Sequence, residues 1–319
     1  MKYLDVAPQG EGYLAALRET GIPRPRADEV LVRVAASGVN RADLSQIAGH
    51  YPPPPGESKI LGLEVSGDLV ETGEPVCALL AGGGHAEYVA APKGQVFSVP
   101  AGVDLLSSAG VPEAFLTAFL NLGDLKKGEH ALIHAGASGL GLAAIQTARF
   151  LGASVAGTTR SSSKLAAIKK AGADLAIDTS ASNFVEIIEG AWGTDSVDLI
   201  LDPVGASTFA GDLRLLATGG RVIFLATMSG AHTDFDIALL MKKRAQAIGS
   251  TLRSRPRPEK AELVARFQKE MLPGFESGVL SVHVDSVFSP ERAAEAFERL
   301  KHNKNIGKVL IDWRSLRSE

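Results

Sequence analysis

Between residues 130 and 224 the chain alternates strand-like and helix-like runs at short intervals. "HALIHAG" (130–136), "SVAGTTR" (154–160), "LAIDT" (175–179) and "VDLILDPVG" (197–205, strand and turn) read as strands. "LGLAAIQTARFLGA" (140–153), "SKLAAIKKAGA" (163–173) and "NFVEIIEGAW" (183–192) read as the helices between them, and "FAGDLRLLATGG" (209–220) with "RVIFLATMSG" (221–230) repeats the theme. Successive strands that run the same way need helical crossovers. The alternation therefore predicts a parallel sheet covered on both faces.

The first third has another texture. "EVLVRVAASGV" (29–39) alternates as a half-buried strand does, and "SGDLVETGEPVCALLAGGGHAEYVAAP" (66–92) adds short β runs punctuated by Gly73, Pro75 and Gly82 to Gly84. "GHYPPPP" (49–55) has to be a stiff loop, because its four prolines lack backbone donors and fix φ. This part reads as an all-β, barrel-like domain. A helix is expected in "PEAFLTAFLNLGDL" (112–125), where the texture changes. Near the other end, "PEKAELVARFQKEMLPGFESG" (258–278) is an amphipathic helix that Pro273 and Gly274 are expected to interrupt. "SPERAAEAFERLKHNK" (289–304) starts with a serine cap and an early proline, and "IGKVLIDW" (306–313) closes as a strand. The expected domains are 1–112 with 251–319, and 113–250.

A chain of 319 residues, 45% hydrophobic and 22% charged, suits a two-domain globular enzyme. Its net charge of −3 favours neither nucleic acid nor an anionic membrane as a partner. The single cysteine, Cys77, excludes an intramolecular disulfide and an all-cysteine metal site within one chain. No apolar run has the length of a signal-peptide core or a membrane span, so a cytoplasmic location is the expectation.

The glycine-rich turn "HAGASGLG" (134–141) sits between the first strand and the first helix of the alternating region. In that setting, backbone N–H groups and the positive end of the helix face a pyrophosphate. Gly136 would make the tight turn, and Gly141 would let helix and strand pack closely. Ser138, Gly139 and Leu140 would present the backbone to the phosphates, with the serine hydroxyl able to add a bond. The competing reading is a turn rich in glycine only for packing. The second strand bears on the choice of nucleotide. An NAD site would place an acid about 20 residues on to hold the ribose hydroxyls. Thr159 stands there instead, followed by Arg160, Ser161 and Lys164. Cations and hydroxyls suit a 2′-phosphate, so the cofactor expected is NADPH. These serines could equally serve only as helix caps and these cations only as solvated side chains.

Several segments together resemble one family along the whole chain: "AASGVNRADL" (35–44), "GHYPPPPG" (49–56), "ILGLEVSG" (60–67), "GGGHAEYV" (82–89), "PEAFLTAF" (112–119), "HAGASGLGLAAIQTAR" (134–149), "LILDPVG" (199–205) and "NKNIGKVL" (303–310). They resemble the medium-chain dehydrogenase/reductase superfamily, in its zinc-free quinone oxidoreductase branch. The resemblance implies an α/β fold: a GroES-like β-barrel catalytic domain plus a Rossmann doubly wound parallel sheet. Zinc enzymes of the superfamily hold their metal at positions matched here by Asn40, Leu63 and Glu113, and Asn40 and Leu63 are not residues zinc prefers. No metal is expected.

By the same resemblance, Asn40, Tyr51, Thr117, the turn Pro203, Val204 and Gly205, and the stretch from Leu252 to Ser254 would line the nicotinamide end. Asn305 and Lys308 would reach the cofactor's phosphates, or Lys308 would be solvated at the rim. Tyr51 would either donate to a substrate carbonyl oxygen or pack against the proline loop or the cofactor's phosphate bridge. Asn40 would orient Tyr51 or the ribose, or only begin a helix at 41–48. "SGDLVETGEPVCALL" (66–80) is shorter than in relatives by roughly one hairpin loop, which would open one side of the barrel. His85 is expected to be an exposed loop residue. The activity implied is NADPH:quinone oxidoreductase. The alternatives are a 2-alkenal or enone reductase and a non-catalytic, crystallin-like NADPH-binding protein. "RAQAIGSTL" (244–252) is the expected edge strand of a homodimer.

Overall fold

A computed structural model describes residues 1–316, which divide into two compact units: Met1–Leu116 with the chain from Leu252 on, and Thr117–Thr251. The boundaries lie at 116/117 and 251/252 rather than at 112/113 and 250/251, because the helix that starts at Pro112 gives its first turn to the first unit.

The first unit begins with an antiparallel hairpin of β1 (Lys2–Gln9) and β2 (Gly12–Glu19). Next come β3 (Glu29–Val39), helix α1 (Arg41–Ile47), β4 (Glu64–Leu69), β5 (Pro75–Leu79), β6 (Tyr88–Pro92) and β7 (Val96–Ser98). Helix α2 (Pro112–Leu122) leads into the second unit.

There the alternation is regular: β8 (His130–Ile133), α3 (Gly139–Phe150), β9 (Ser154–Thr159), α4 (Leu165–Lys170), β10 (Leu175–Asp178), α5 (Phe184–Trp192), β11 (Val197–Asp202), α6 (Phe209–Leu215), β12 (Leu216–Phe224), α7 (Ile237–Lys243) and β13 (Gln246–Gly249). The chain then returns to the first unit with α8 (Arg257–Glu276), β14 (Val284–Phe288), α9 (Ala293–Lys301) and β15 (Lys308–Asp312).

The strands of the first unit form a sheet in the order β14-β15-β3-β4-β5-β7, with β6 also paired to β3. Alternate residues of these strands, including Val32, Val34, Val65 and Val76, pack with Phe297 and Trp313 into one core. The short 66–80 segment is a closed hairpin: Asp68 pairs with Pro75, Leu69 N donates to Glu74 O at 2.9 Å, and the sheet runs on without a gap there. Helix α8 continues through Pro273 and Gly274. The proline lies in the last turn, and Phe275 beyond it stacks edge-on against Phe115 at 4.9 Å, which holds the end of the helix in place.

The second unit is a six-stranded parallel sheet in the order β10-β9-β8-β11-β12-β13. Its chain starts in the middle, at β8, runs outward through β9 and β10, then crosses back to β11 and runs the other way. The crevice for a ligand in such sheets lies beyond the carboxyl ends of the two strands at the reversal, here β8 and β11. Ala156 joins the core formed with α5 and α6, whereas a Cβ on the next residue, Gly157, would press on Ile145 of α3 and Ile168 of α4. Neighbouring strand residues point to opposite faces, so helices cover both faces. Strand β13, at the outer edge, is four residues long and shorter than the expected 244–252 run.

Candidate functional site

In the second unit, the carboxyl ends of three neighbouring strands each open into a loop predicted to bind the nucleotide. The turn after β8 is built differently from its expected form. The left-handed residue is Ala135 (φ 51°), not Gly136. Gly136 is needed for space instead: a Cβ there would lie 3.3 Å from both Ile145 and Ile168. Gly141 has no room for any side chain, because Ala135 O and the Gly136 backbone fill the place of its Cβ. Ser138 caps α3: its Oγ accepts from Gly141 N at 2.9 Å, which leaves the hydroxyl proton to donate elsewhere. Gly139 and Leu140 form the first turn of α3, where backbone N–H groups have no acceptor within the helix.

At the end of β9, Thr159 is buried and its carbonyl accepts from Thr179 N at 2.8 Å. Arg160 is exposed, and the Ser161 hydroxyl bonds that of Ser163 at 2.8 Å. Lys164 closes a single 3-10 turn before the short α4, so the expected helix over 163–173 is reduced to 165–170. No carboxylate follows β9 before Asp174.

At the end of β11, Asp202 organises the Pro203–Val204–Gly205 turn. Its carboxylate accepts from Val204 N at 2.5 Å, Gly205 N at 3.0 Å and the Thr208 hydroxyl at 2.8 Å. Gly205 takes φ 89°, which favours glycine. Thr117 keeps a buried hydroxyl with no protein partner.

The first unit holds the other predicted residues. Asn40 Nδ2 donates to Glu64 Oε1 at 2.9 Å and to Gly38 O at 3.2 Å, while its Oδ1 accepts from Lys308 Nζ at 2.8 Å. Lys308 also bonds Glu64 Oε1, and both residues of that pair are buried. The Lys308 ammonium is therefore neither at a solvated rim nor free for phosphates: it neutralises Glu64. Asn40 is likewise committed to this network. Asn305 turns its amide to Gly307 O at 2.8 Å and shapes the turn into β15. Leu252 is buried and Ser254 exposed.

Glu113 N donates to Glu64 Oε2 at 2.8 Å, but the Glu113 side chain leaves Oε2 buried without a donor. Burial, with Glu64 close by, pushes its carboxyl up to about 8, although Lys308 opposes the shift. The Tyr51 phenol is also raised, by burial first and then by Glu113, against the pull of Arg253.

Arg253 lies inside the predicted 252–254 stretch, but the role of its side chain was not foreseen. Its guanidinium lies 5.2 Å from the centre of the Tyr51 ring. It donates to Tyr51 O at 3.0 Å, Gln46 Oε1 at 2.6 Å and Ala81 O at 2.8 Å. One buried cation thus ties the proline loop to the end of α1 and to the chain after β5.

His85 is fully buried rather than exposed. Its Nδ1 bonds Ser37 Oγ at 2.8 Å, and its Nε2 lies 3.6 Å from Asp43 Oδ2. Serine, histidine and aspartate in this order have the makings of a nucleophilic triad. Yet Ser37 is 0% exposed and its oxygen accepts from Trp313 Nε1 at 2.9 Å, so no substrate reaches it. The three residues join β3, α1 and the loop before β6.

The chain matches the family model "Alcohol dehydrogenase GroES-like domain" over residues 26–101 and "Zinc-binding dehydrogenase" over residues 139–269. It is 30% identical to a quinone oxidoreductase of Sus scrofa over 307 residues, covering 92% of each chain. It superposes on the quinone oxidoreductase of Thermus thermophilus, solved also as a complex with NADPH, with a TM-score of 0.84 and 31% identity, covering 98% of this chain and 100% of that one. The chain belongs to the quinone oxidoreductase branch of the medium-chain dehydrogenase/reductase superfamily. A mycobacterial protein complexed with NADPH also superposes, with a TM-score of 0.85 and 27% identity, covering 98% and 99% of the two chains.

Membership makes this chain an oxidoreductase of a nucleotide-dependent family. Among the positions that match zinc ligands elsewhere in the superfamily, Leu63 is buried apolar core and Asn40 is bonded to a lysine. Among the described residues no helix is long and apolar enough to cross a membrane.

Proposed function

We propose that this chain is an NADPH-dependent, zinc-free quinone reductase. The observation that carries the zinc-free reading is Lys308: its ammonium sits on Glu64 and Asn40, and a second cation there would be repelled and would find no imidazole or thiolate. An acceptor that takes hydride without a Lewis acid fits such a site, as a quinone does. The Sus scrofa and Thermus thermophilus relatives are named for that activity.

The nucleotide reading rests on the loops of the second unit. The open N–H groups at Gly139 and Leu140, the backbone room kept by Gly136 and Gly141, and the orphan Thr117 hydroxyl fit a dinucleotide. Thr159, Arg160, Ser161 and Lys164 would hold the 2′-phosphate, and Pro203, Val204 and Gly205 the nicotinamide end. Leu252 and Ser254 flank the Arg253 clamp. When bound, NADPH supplies the hydride. Tyr51, kept protonated by its raised phenol, donates to a carbonyl oxygen of the acceptor. Asn40 acts indirectly, through Glu64 and Lys308.

NADPH oxidation with a panel of small quinones and enones tests the reading. Turnover with quinones is expected, and a Tyr51→Phe variant should lose enone turnover more than quinone turnover. Lys164→Ala should raise KM for NADPH and leave that for NADH nearly unchanged; equal effects would remove the 2′-phosphate assignment. Binding of NADPH without turnover of any acceptor would favour a non-catalytic protein. We also propose a homodimer through β13, whose outer edge is unpaired among the described residues. Beside it in sequence, α7 exposes Ile237 and Met241 by 61% and 71%. Light scattering should give twice the chain mass.

A further inference from the structure

We propose that His134, Asp212 and Asp202 form one buried, proton-sharing network that positions the nucleotide loops and takes up a proton when the nucleotide binds. This rests on the nucleotide reading above and deepens it.

The network lies where the sheet reverses direction. His134 directly follows β8 and is the first residue of the glycine-rich turn; Asp202 ends β11 and starts the Pro203–Gly205 turn. His134 Nδ1 bonds the Thr158 hydroxyl of β9 at 2.8 Å, and its Nε2 bonds Asp212 Oδ1 of α6 at 2.8 Å. Thr158 O in turn accepts from Gly136 N at 2.7 Å. Two strand ends that open into predicted nucleotide loops are therefore joined through one imidazole, which Asp212 holds from α6, and Asp202 at the end of a third strand acts on Asp212. All three side chains are at most 1% exposed.

The donors do not suffice for two fully ionised carboxylates. Asp202 is well supplied by Val204 N, Gly205 N and Thr208. Asp212 Oδ2 is buried without any donor, on the carboxylate that faces Asp202. A proton on Asp212 is what can satisfy that oxygen. Burial raises Asp212 to about 6, with His134 opposing and Asp202 adding to the rise. Burial pulls His134 down, but Asp212 and Asp202 outweigh it and its net shift is upward. The ionisable groups that act most on the pair are the two residues themselves and Asp202.

The proton content of the network thus changes near neutral pH, next to a turn built for phosphates. A bound polyanion favours the more protonated, less negative form, so binding draws a proton in and affinity falls as pH rises.

Asp212→Asn tests this directly. The amide accepts from His134 through its oxygen, donates to Asp202 through its nitrogen, and does not titrate. NADPH binding would be measured by calorimetry between pH 5.5 and 8.5 in two buffers of different ionisation enthalpy. The 2′-phosphate's own titration is common to both proteins and cancels in the comparison. The wild type is expected to take up protons, with Kd rising about 3- to 10-fold more than in the variant across that range. Equal proton uptake in both proteins overturns the inference. If the wild type binds no NADPH at any pH, the nucleotide reading itself fails. Should Asp212→Asn not fold, His134→Gln removes the titrating ring, keeps a donor for Asp212, and carries the same two outcomes.

Discussion

Each unit buries a small cluster of charge, and the two clusters solve the same problem differently. In the first unit, Lys308, Glu64 and Glu113 combine one cation with two acids; in the second, His134, Asp212 and Asp202 do the same. Both clusters have one acid too many. Lys308 sits directly on Glu64, and the surplus acid is Glu113, whose carboxyl burial pushes up to about 8. Histidine can give up its charge, so in the second unit the surplus can move between ring and carboxylate. The first arrangement is a fixed scaffold beside Tyr51, and the second can respond to what binds.

The largest expected effect breaks the fixed pair. Lys308→Met leaves Glu64 buried without its cation, with Asn40 Nδ2 and Glu113 N as its remaining donors. Removing one partner of a buried pair costs about 3–5 kcal/mol, and urea unfolding should show a loss of that size. A loss below about 1 kcal/mol would mean that this buried pair is worth no more than a surface one, and the contrast between the units would vanish.

Next comes the surplus acid of the first unit. Glu113 is protonated in the fold up to about 8, whereas its unfolded value is near 4.5. A raised folded value gives stability that is complete below 4.5 and lost as pH rises through about 8. Within that window the wild type should lose up to about 1.4 kcal/mol per pH unit from this group. Glu113→Gln should flatten the slope between pH 5 and 8 and become the more stable protein above pH 8. Parallel slopes in thermal melts would show that Glu113 is ionised in the fold after all.

The two clusters also show what the sequence reveals. The βα alternation, the strand over 29–39 and the glycine-rich turn are local patterns, and the structure has them at nearly the expected residues. The clusters are not local. Lys308 meets Glu64 across 244 residues and His134 meets Asp212 across 78, so no window of sequence contains either pair. His134 was hidden where the strand read over 130–136 overlaps the glycine-rich turn of 134–141. His85 follows three glycines and looks like loop, yet Gly62 (φ 99°) leaves room for its backbone and Ser37 takes its ring nitrogen. Helix α7 was missed because its apolar residues face outward as well as inward, which blurs the helical period. Tyr51 was legible as a phenol in a proline loop; the arginine that fixes it lies 202 residues away.

The smallest expected effect concerns the second cluster and sharpens the contrast most. Asp212→Asn keeps a hydrogen-bond acceptor for His134 and gives Asp202 a donor in place of a shared proton. At pH 7 its stability should stay within about 1 kcal/mol of wild type, because replacing a buried acid by a group that satisfies the same neighbours exposes no orphan. Asp212 rises in the fold from 3.8 to about 6, so the wild type's gain is complete below 3.8 and is lost as pH rises through about 6. His134, also raised, extends the same trend to higher pH. The variant should therefore show a shallower decline than wild type from pH 4 to 7, a window lower than the one set by Glu113. A cost as large as that of Lys308→Met would show that the charge on Asp212 is as fixed as that on Glu64, and that the second cluster holds its loops without moving a proton.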